Sequence, residues 1–113
     1  MECEFCAIVA GEAAGEIVYQ DEAITAFRDK HPQAPTHILI VPNEHIPNVA
    51  SVCAEHARLI WKAVCVANDL AQAEGIAPRG YRLVINCGPD AGQSIDHLHF
   101  HLLGGRPMRW PPG

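Results

Sequence analysis

Ser94-Ile95-Asp96-His97-Leu98-His99-Phe100-His101-Leu102-Leu103 sets three histidines in alternation with bulky apolar residues. Alternation with period two marks a β-strand lying on a core, because successive side chains point to opposite faces. The stretch predicts a strand with His97, His99 and His101 on one face and Leu98, Phe100 and Leu102 on the other. Same-face neighbours on a regular strand sit about 7 Å apart and the outer pair about 13 Å apart, so three such imidazoles do not converge on one atom. Separate tasks are expected of them. Two histidines at i and i+2 can share a metal, which keeps a metal-hydrolase reading open, but a nucleophile flanked by two helpers fits the row better.

Upstream, Tyr81-Arg82-Leu83-Val84-Ile85-Asn86 reads as a further strand, joined to the histidine strand by the glycine-rich turn from Cys87 to Ser94. Gly88 and Gly92 permit close backbone approach, so the amides of Gly92, Gln93 and Ser94 are candidates to face phosphate oxygens without a lysine. A hairpin turn also needs glycine for purely structural reasons. Further back, Leu59, Ala63, Val66 and Leu70 recur at helical spacing between Ser51, a candidate N-cap, and Gly75, a candidate C′ glycine. This predicts one amphipathic helix covering a face of the sheet, with Cys53, Cys65 and His56 as ordinary packing or surface residues. Thr36-His37-Ile38-Leu39-Ile40-Val41, stopped by Pro42, predicts a central strand, preceded by a proline-punctuated loop from Asp29 to Pro35. Taken alone, His37 reads as a satisfied core histidine. Ile17 to Gln20 and Ala23 to Arg28, separated by Asp21-Glu22, predict a β-hairpin.

Composition narrows the function classes. A chain of 113 residues, 49% hydrophobic, suits one domain over 1–113 with a modest core. A net charge of −5 argues against broad nucleic-acid or polybasic membrane binding, so an anionic ligand must be held by local donors. No apolar run approaches the roughly 20 residues of a membrane span, and Glu2 and Glu4 spoil a basic leader; a cytoplasmic location is expected. Five cysteines, an odd number, suggest reduced thiols or metal ligands rather than a disulfide framework. Cys3-Glu4-Phe5-Cys6 has the spacing of zinc knuckles and redox enzymes. A redox site would be expected near a βαβ pattern, which this chain lacks, and a zinc site needs two more ligands, for which His45 and His97 are the candidates. Burial of Cys3 and Cys6 as small apolar residues is the plain alternative.

The histidine row matches, at every position, the signature of the histidine-triad family, His-φ-His-φ-His-φ-φ with φ apolar. Gly80-Tyr81-Arg82 through Asn86, Gly92-Gln93-Ser94, Gly104-Gly105-Arg106, Trp110-Pro111-Pro112-Gly113 and the upstream Pro32-Gln33-Ala34-Pro35-Thr36-His37 resemble its nucleotide-binding (Hint) branch over nearly the whole chain. The resemblance implies an α+β fold of the HIT type, an antiparallel sheet of about five strands with one long helix and a short N-terminal helix, paired as a homodimer. It implies hydrolysis of the P–N bond of purine nucleoside phosphoramidates through a nucleotidyl-histidine intermediate. In that scheme His99 is the nucleophile, the His97 carbonyl orients it, and His101 and His37 donate to the non-bridging oxygens. Ser94 with the Gly92 and Gln93 amides would lie near the phosphate and leaving amine, and Asn86 would orient the nucleotide. Asp29 and Lys30 would line the ribose side, and Phe27 would lie against the base. Cys3, Cys6, His45 and His97 match the structural zinc ligands of some relatives, with no metal required for catalysis. Ala13 departs from the pattern where relatives place a larger aliphatic residue in the base pocket. Two other readings are a nucleotide-binding regulatory module with vestigial turnover and a dinucleoside polyphosphate hydrolase; Ser94 and the Trp-Pro-Pro-Gly ending disfavour the second.

Overall fold

The computed structural model describes residues 3–113; Glu2, invoked above against a leader, lies outside them. A short helix α1 (Glu4–Val9) leads into strands β1 (Ile17–Gln20), β2 (Ile24–Arg28) and β3 (Thr36–Pro42), the long helix α2 (Ala57–Ala73), and strands β4 (Tyr81–Ile85) and β5 (Phe100–Gly104). The strands form one antiparallel sheet in the order β1-β2-β3-β5-β4. The expected hairpin is β1–β2, and the run rich in β-branched residues is the central strand, buried along its whole length.

Alternation along β3 and β5 builds two layers. Ile38 and Ile40 on β3, with Leu98, Phe100 and Leu102, join Ala63, Val66, Ala67 and Leu70 of α2 in the larger core. On the opposite face Leu39 and Val41 pack with Phe27 and with Phe5 and Ile8 of α1. His101 lies between Leu39 and Val84 in register, so it shares this second face. Covering one face with α2 and only part of the other with α1 leaves room beside the histidines.

Two boundaries differ from expectation. The strand carrying the histidines begins only at Phe100, because the backbone before it is spent elsewhere: the His97 N–H turns back to the Ile95 carbonyl at 2.9 Å, and the Leu98 N–H donates to the Ile46 carbonyl at 2.6 Å. The facing of side chains survives, with Leu98, Phe100 and Leu102 all at most 2% exposed. The helix starts at Ala57 rather than Ser51. Asn48 Oδ1 accepts the Ser51 N–H, holding Ser51 inside a 3₁₀ turn, and extended Val52 then breaks the path. At the other end Gly75 takes φ +76°, the left-handed C′ conformation expected of it. Arg28 grips Glu74 with two bonds of 2.8 and 2.9 Å, tying this end of α2 to β2. Among the described residues no helix is long and apolar enough to cross a membrane.

Candidate active site

A cavity of about 610 Å³ opens on the sheet face that α1 covers only in part. Phe5, Ile8, Phe27 and Leu39 give it an apolar wall, and His99, His101, His37, Gly92 and Ser94 line it as well, with Asp29 and Lys30.

His99 is 7% exposed. Its Nδ1 lies 2.7 Å from the backbone oxygen of His97. A carbonyl oxygen only accepts, so Nδ1 carries the proton and Nε2 keeps a bare lone pair. The edge of Phe5 packs on the ring, with centroids 5.1 Å apart at 86°, limiting its rotation.

His101 is fixed by a longer chain of donors. The Gln33 N–H donates to His37 Nδ1 at 3.0 Å, so the His37 proton sits on Nε2, which lies 2.9 Å from His101 Nδ1. His37 donates there, and His101 must then carry its own proton on Nε2. That atom is buried and has no partner among the described residues, an N–H in want of an acceptor. Burial, with the neighbouring His99 and His37, pushes the pKa of His101 down to about 4. Burial also lowers that of His37, against the pull of Asp29, whose Oδ2 is 3.4 Å from His37 Nε2. Both rings are therefore neutral at pH 7 and the proton order is fixed. His37 stands behind His101, with both ring nitrogens committed to protein partners, rather than offering a donor of its own.

The glycine turn is built differently from expectation. The Gly92 N–H bonds to the Pro89 carbonyl at 3.0 Å and the Gln93 N–H to the Gly88 carbonyl at 3.1 Å, closing a 3₁₀ turn that uses φ of +85° at Gly88 and +83° at Gly92. The Gln93 side chain accepts from the Gly88 N–H and donates to the Pro47 and Ile95 carbonyls. These amides serve the turn, and only the Ser94 N–H and hydroxyl remain without a partner among the described residues. Phe27, Asp29 and Lys30 line the cavity as expected, although Lys30 pairs with Glu4 at 2.9 Å. Ala13 is exposed and off the lining, which Ala14 and Gly15 supply instead. Asn86 borders a second cavity, of about 730 Å³, that shares Gln33, His37 and His101 with the first. Phe5, Ile8 and Leu39 were not legible as site residues: their apolar side chains look like core, and only the closure of α1 over the sheet brings them to the histidines.

At the start of the histidine segment Cys3, Cys6, His45 and His97 gather. His97 Nδ1 is 3.3 Å from Cys3 Sγ and 3.5 Å from Cys6 Sγ, and His45 Nδ1 is 3.3 Å from Cys6 Sγ. All four ligand atoms lie within 4.8 Å of one another. A sulfur and a nitrogen bound to one tetrahedral zinc are about 3.5 Å apart, from bond lengths of roughly 2.3 and 2.0 Å. The His97 Nε2–H donates to the Pro42 carbonyl at 2.8 Å, leaving the Nδ1 lone pair aimed at the sulfurs. Donor type, spacing and tautomer all fit a closed metal site. This orientation removes the i, i+2 reading for the pair His97 and His99, because Nδ1 of His97 faces the thiols and its Nε2 the Pro42 carbonyl, while Nδ1 of His99 is bound to the His97 carbonyl.

A family model described as "HIT domain" matches residues 10–108. The chain is 51% identical over 107 residues to a purine nucleoside phosphoramidase of Escherichia coli (strain K12), covering 95% of this chain and 90% of that one. It is 46% identical over 111 residues to a 14 kDa zinc-binding protein of Zea mays, covering 96% and 86%. The crystal structure of a HIT family hydrolase from Legionella pneumophila Philadelphia 1 superposes with a TM-score of 0.97 at 48% identity, over 99% of this chain and all of that one.

Proposed function

The chain belongs to the HIT domain family, and on that premise we propose that it is a hydrolase of purine nucleoside phosphoramidates acting through a covalent nucleotidyl-histidine. The observation that carries the reading is the bare Nε2 of His99, held by the His97 carbonyl at the wall of the cavity. Nε2 attacks phosphorus, the P–N bond breaks, and the amine leaves with the bonding pair. Water then displaces the imidazole and gives the nucleoside monophosphate. Over both steps water supplies a hydroxyl to phosphorus and a proton to the amine. A neutral imidazole is a competent nucleophile near pH 7 and a good leaving group once phosphorylated, so one hard displacement becomes two easier ones.

His101 Nε2–H is the donor for a non-bridging oxygen, stabilising charge where it develops. His37 acts through it, presenting His101 in the one tautomer that leaves this N–H free. Ser94 lies on the same cavity and is assigned to the phosphate and leaving nitrogen. Asp29 takes the ribose hydroxyls, and Phe27 with Phe5 and Leu39 flanks the base. The test is direct: incubation with an adenosine 5′-phosphoramidate releases amine and adenosine monophosphate in equal amounts, whereas binding without release would favour a regulatory module.

Cys3, Cys6, His45 and His97 are assigned to one structural zinc, supported by their donor set and by the zinc-binding relative in Zea mays. A metal there would hold the N-terminal segment and the loop after β3 against the histidine segment; the chemistry itself is assigned to imidazole, with no metal in the reaction. A homodimer is supported by the open edge of β4 and by Trp61 and Val64, 61% and 37% exposed on α2; sedimentation equilibrium at twice the monomer mass is the expected result. One domain accounts for the chain, and reduced cysteines suit the cytoplasm.

A further inference from the structure

The second cavity differs from the first in its charge. Around the first, each cation is neutralised: Lys30 by Glu4, and Arg28 by Glu16 and Glu74. The second is lined by Arg82, Arg106 and Arg109, three of the six arginines in the chain, and none of the three meets a carboxylate within ion-pair distance among the described residues. Arg82 donates to the Arg109 carbonyl at 3.0 Å, and Arg106 to the carbonyls of Gln33 and Pro107 at 3.0 Å. Backbone oxygens orient the guanidinium groups of Arg82 and Arg106 without cancelling their charge, and that of Arg109 has no hydrogen-bond partner among the described residues. Asp90 is the one acidic residue on the lining. A net positive cavity on a chain of charge −5 is a local feature that composition does not produce.

Its position gives it a use. His99 borders the first cavity and not the second, whereas His101 borders both. Displacement at phosphorus runs roughly in line, so the leaving group departs away from the attacking nitrogen. With the phosphoryl group on His101 Nε2–H and the nucleoside on the His99 side, the open space remaining to the departing amine is the arginine-lined cavity.

We propose that this second cavity is a leaving-group subsite selecting amines that carry an anionic group, a carboxylate or a phosphate, bound by Arg82 and Arg109. The proposal rests on the phosphoramidase reading and narrows its substrate class. Guanidinium groups bind both anions through forked N–H donors.

The test uses the whole protein and three adenosine 5′-phosphoramidates, whose leaving amines are glycine, glycinamide and 2-aminoethyl phosphate. Intrinsic reactivity differs among these amines, so the readout is the ratio of kcat/KM for an anionic amine to that for neutral glycinamide, compared between wild type and the Arg82→Gln Arg109→Gln variant. The expected fall in that ratio is about fivefold or more, with Arg82→Lys Arg109→Lys retaining part of the preference. The anion whose ratio falls further names the preferred group. In wild type, added salt should lower kcat/KM for the anionic amines more steeply than for glycinamide, a comparison that does not depend on the variants folding. Equal ratios in wild type and variant, or parallel salt curves, overturn the subsite while leaving the phosphoramidase reading in place. Release of no amine from any of the three overturns both.

Discussion

At the residue scale, the site depends on where two protons sit. The His97 carbonyl puts one on His99 Nδ1, and the Gln33 amide, acting through His37, puts one on His101 Nε2. Replacing His99 by Ala should abolish turnover, by at least about a thousandfold. Binding of the nucleoside monophosphate should be largely kept, since the apolar wall and the His101 donor remain; calorimetry with adenosine monophosphate checks it, and near-wild-type turnover would remove His99 from its role. Titration adds a second expectation. His101 titrates at about 4 in the fold against an ordinary 6.5, so below 6.5 the unfolded chain binds more protons than the native one. Stability conferred by the neutral ring is complete above pH 6.5 and declines as pH falls from there to about 4. The melting temperature of wild type should drop across that window, and the drop should be smaller in His101→Asn; identical pH profiles would argue against the buried neutral ring. Part of this residue-level arrangement was legible in the sequence, because the alternating row predicts a shared face, and His99 and His101 do line one cavity. The His37–His101 bond was not, since 64 residues separate the partners and only the β3–β5 register brings them together.

At the scale of elements, alternation carried the sheet and misjudged one boundary. Period two in the sequence reports which face a side chain takes, and that survives from Leu98 to Leu102; it does not report whether the backbone is in a ladder. Off the ladder, the His97 carbonyl is the acceptor that holds His99 Nδ1 at 2.7 Å. The start of α2 was obscured for a similar reason: Ser51 has cap chemistry, but Asn48 claims it first. β5 ends at Gly104, where a Cβ would fall 2.5 Å from Ile76 Cδ1, 3.0 Å from its Cβ and 3.1 Å from its Cγ2. The terminal methyl can swing away, but the β-branch cannot, so Gly104→Ala should overpack this junction and cost about 1–3 kcal/mol. The melting temperature should fall by several degrees. Gly104→Ala combined with Ile76→Ala should lose less than the sum of the single changes, because the second removes the clash. Strict additivity in thermal melts would show that the contact is not the cause.

At the scale of the whole molecule, the two faces of the sheet have different duties. The α2 face holds the larger apolar core, while the opposite face carries two cavities and a thin cover in α1, only six residues long. A helix that short has little stability of its own, so what holds α1 down must be tertiary: Phe5 and Ile8 beneath it, and the cluster of Cys3, Cys6, His45 and His97 at its start. The Cys-x-x-Cys spacing announced the thiols, and the two candidate partners read from the sequence, His45 and His97, arrive beside them from the loop after β3 and from the histidine segment. Cys3 caps α1 through the Cys6 N–H, and burial together with the neighbouring Cys3 raises the Cys6 pKa; a bound cation would reverse that and favour the thiolate. The assignment to zinc therefore predicts a contribution to stability rather than to chemistry. Protein purified without a histidine tag should contain close to one zinc per chain, and Cys3→Ser Cys6→Ser should contain little. The variant should melt lower, since Phe5, which packs on both Phe27 and His99, loses its tether, while turnover by folded protein should change only a few-fold. Brief chelation that leaves the fold intact should leave the rate intact as well. Well under one zinc per chain, with Cys3 and Cys6 freely titratable, would return them to the role of small packed residues. Loss of activity on chelation without loss of fold, restored by zinc, would instead put the metal into the reaction.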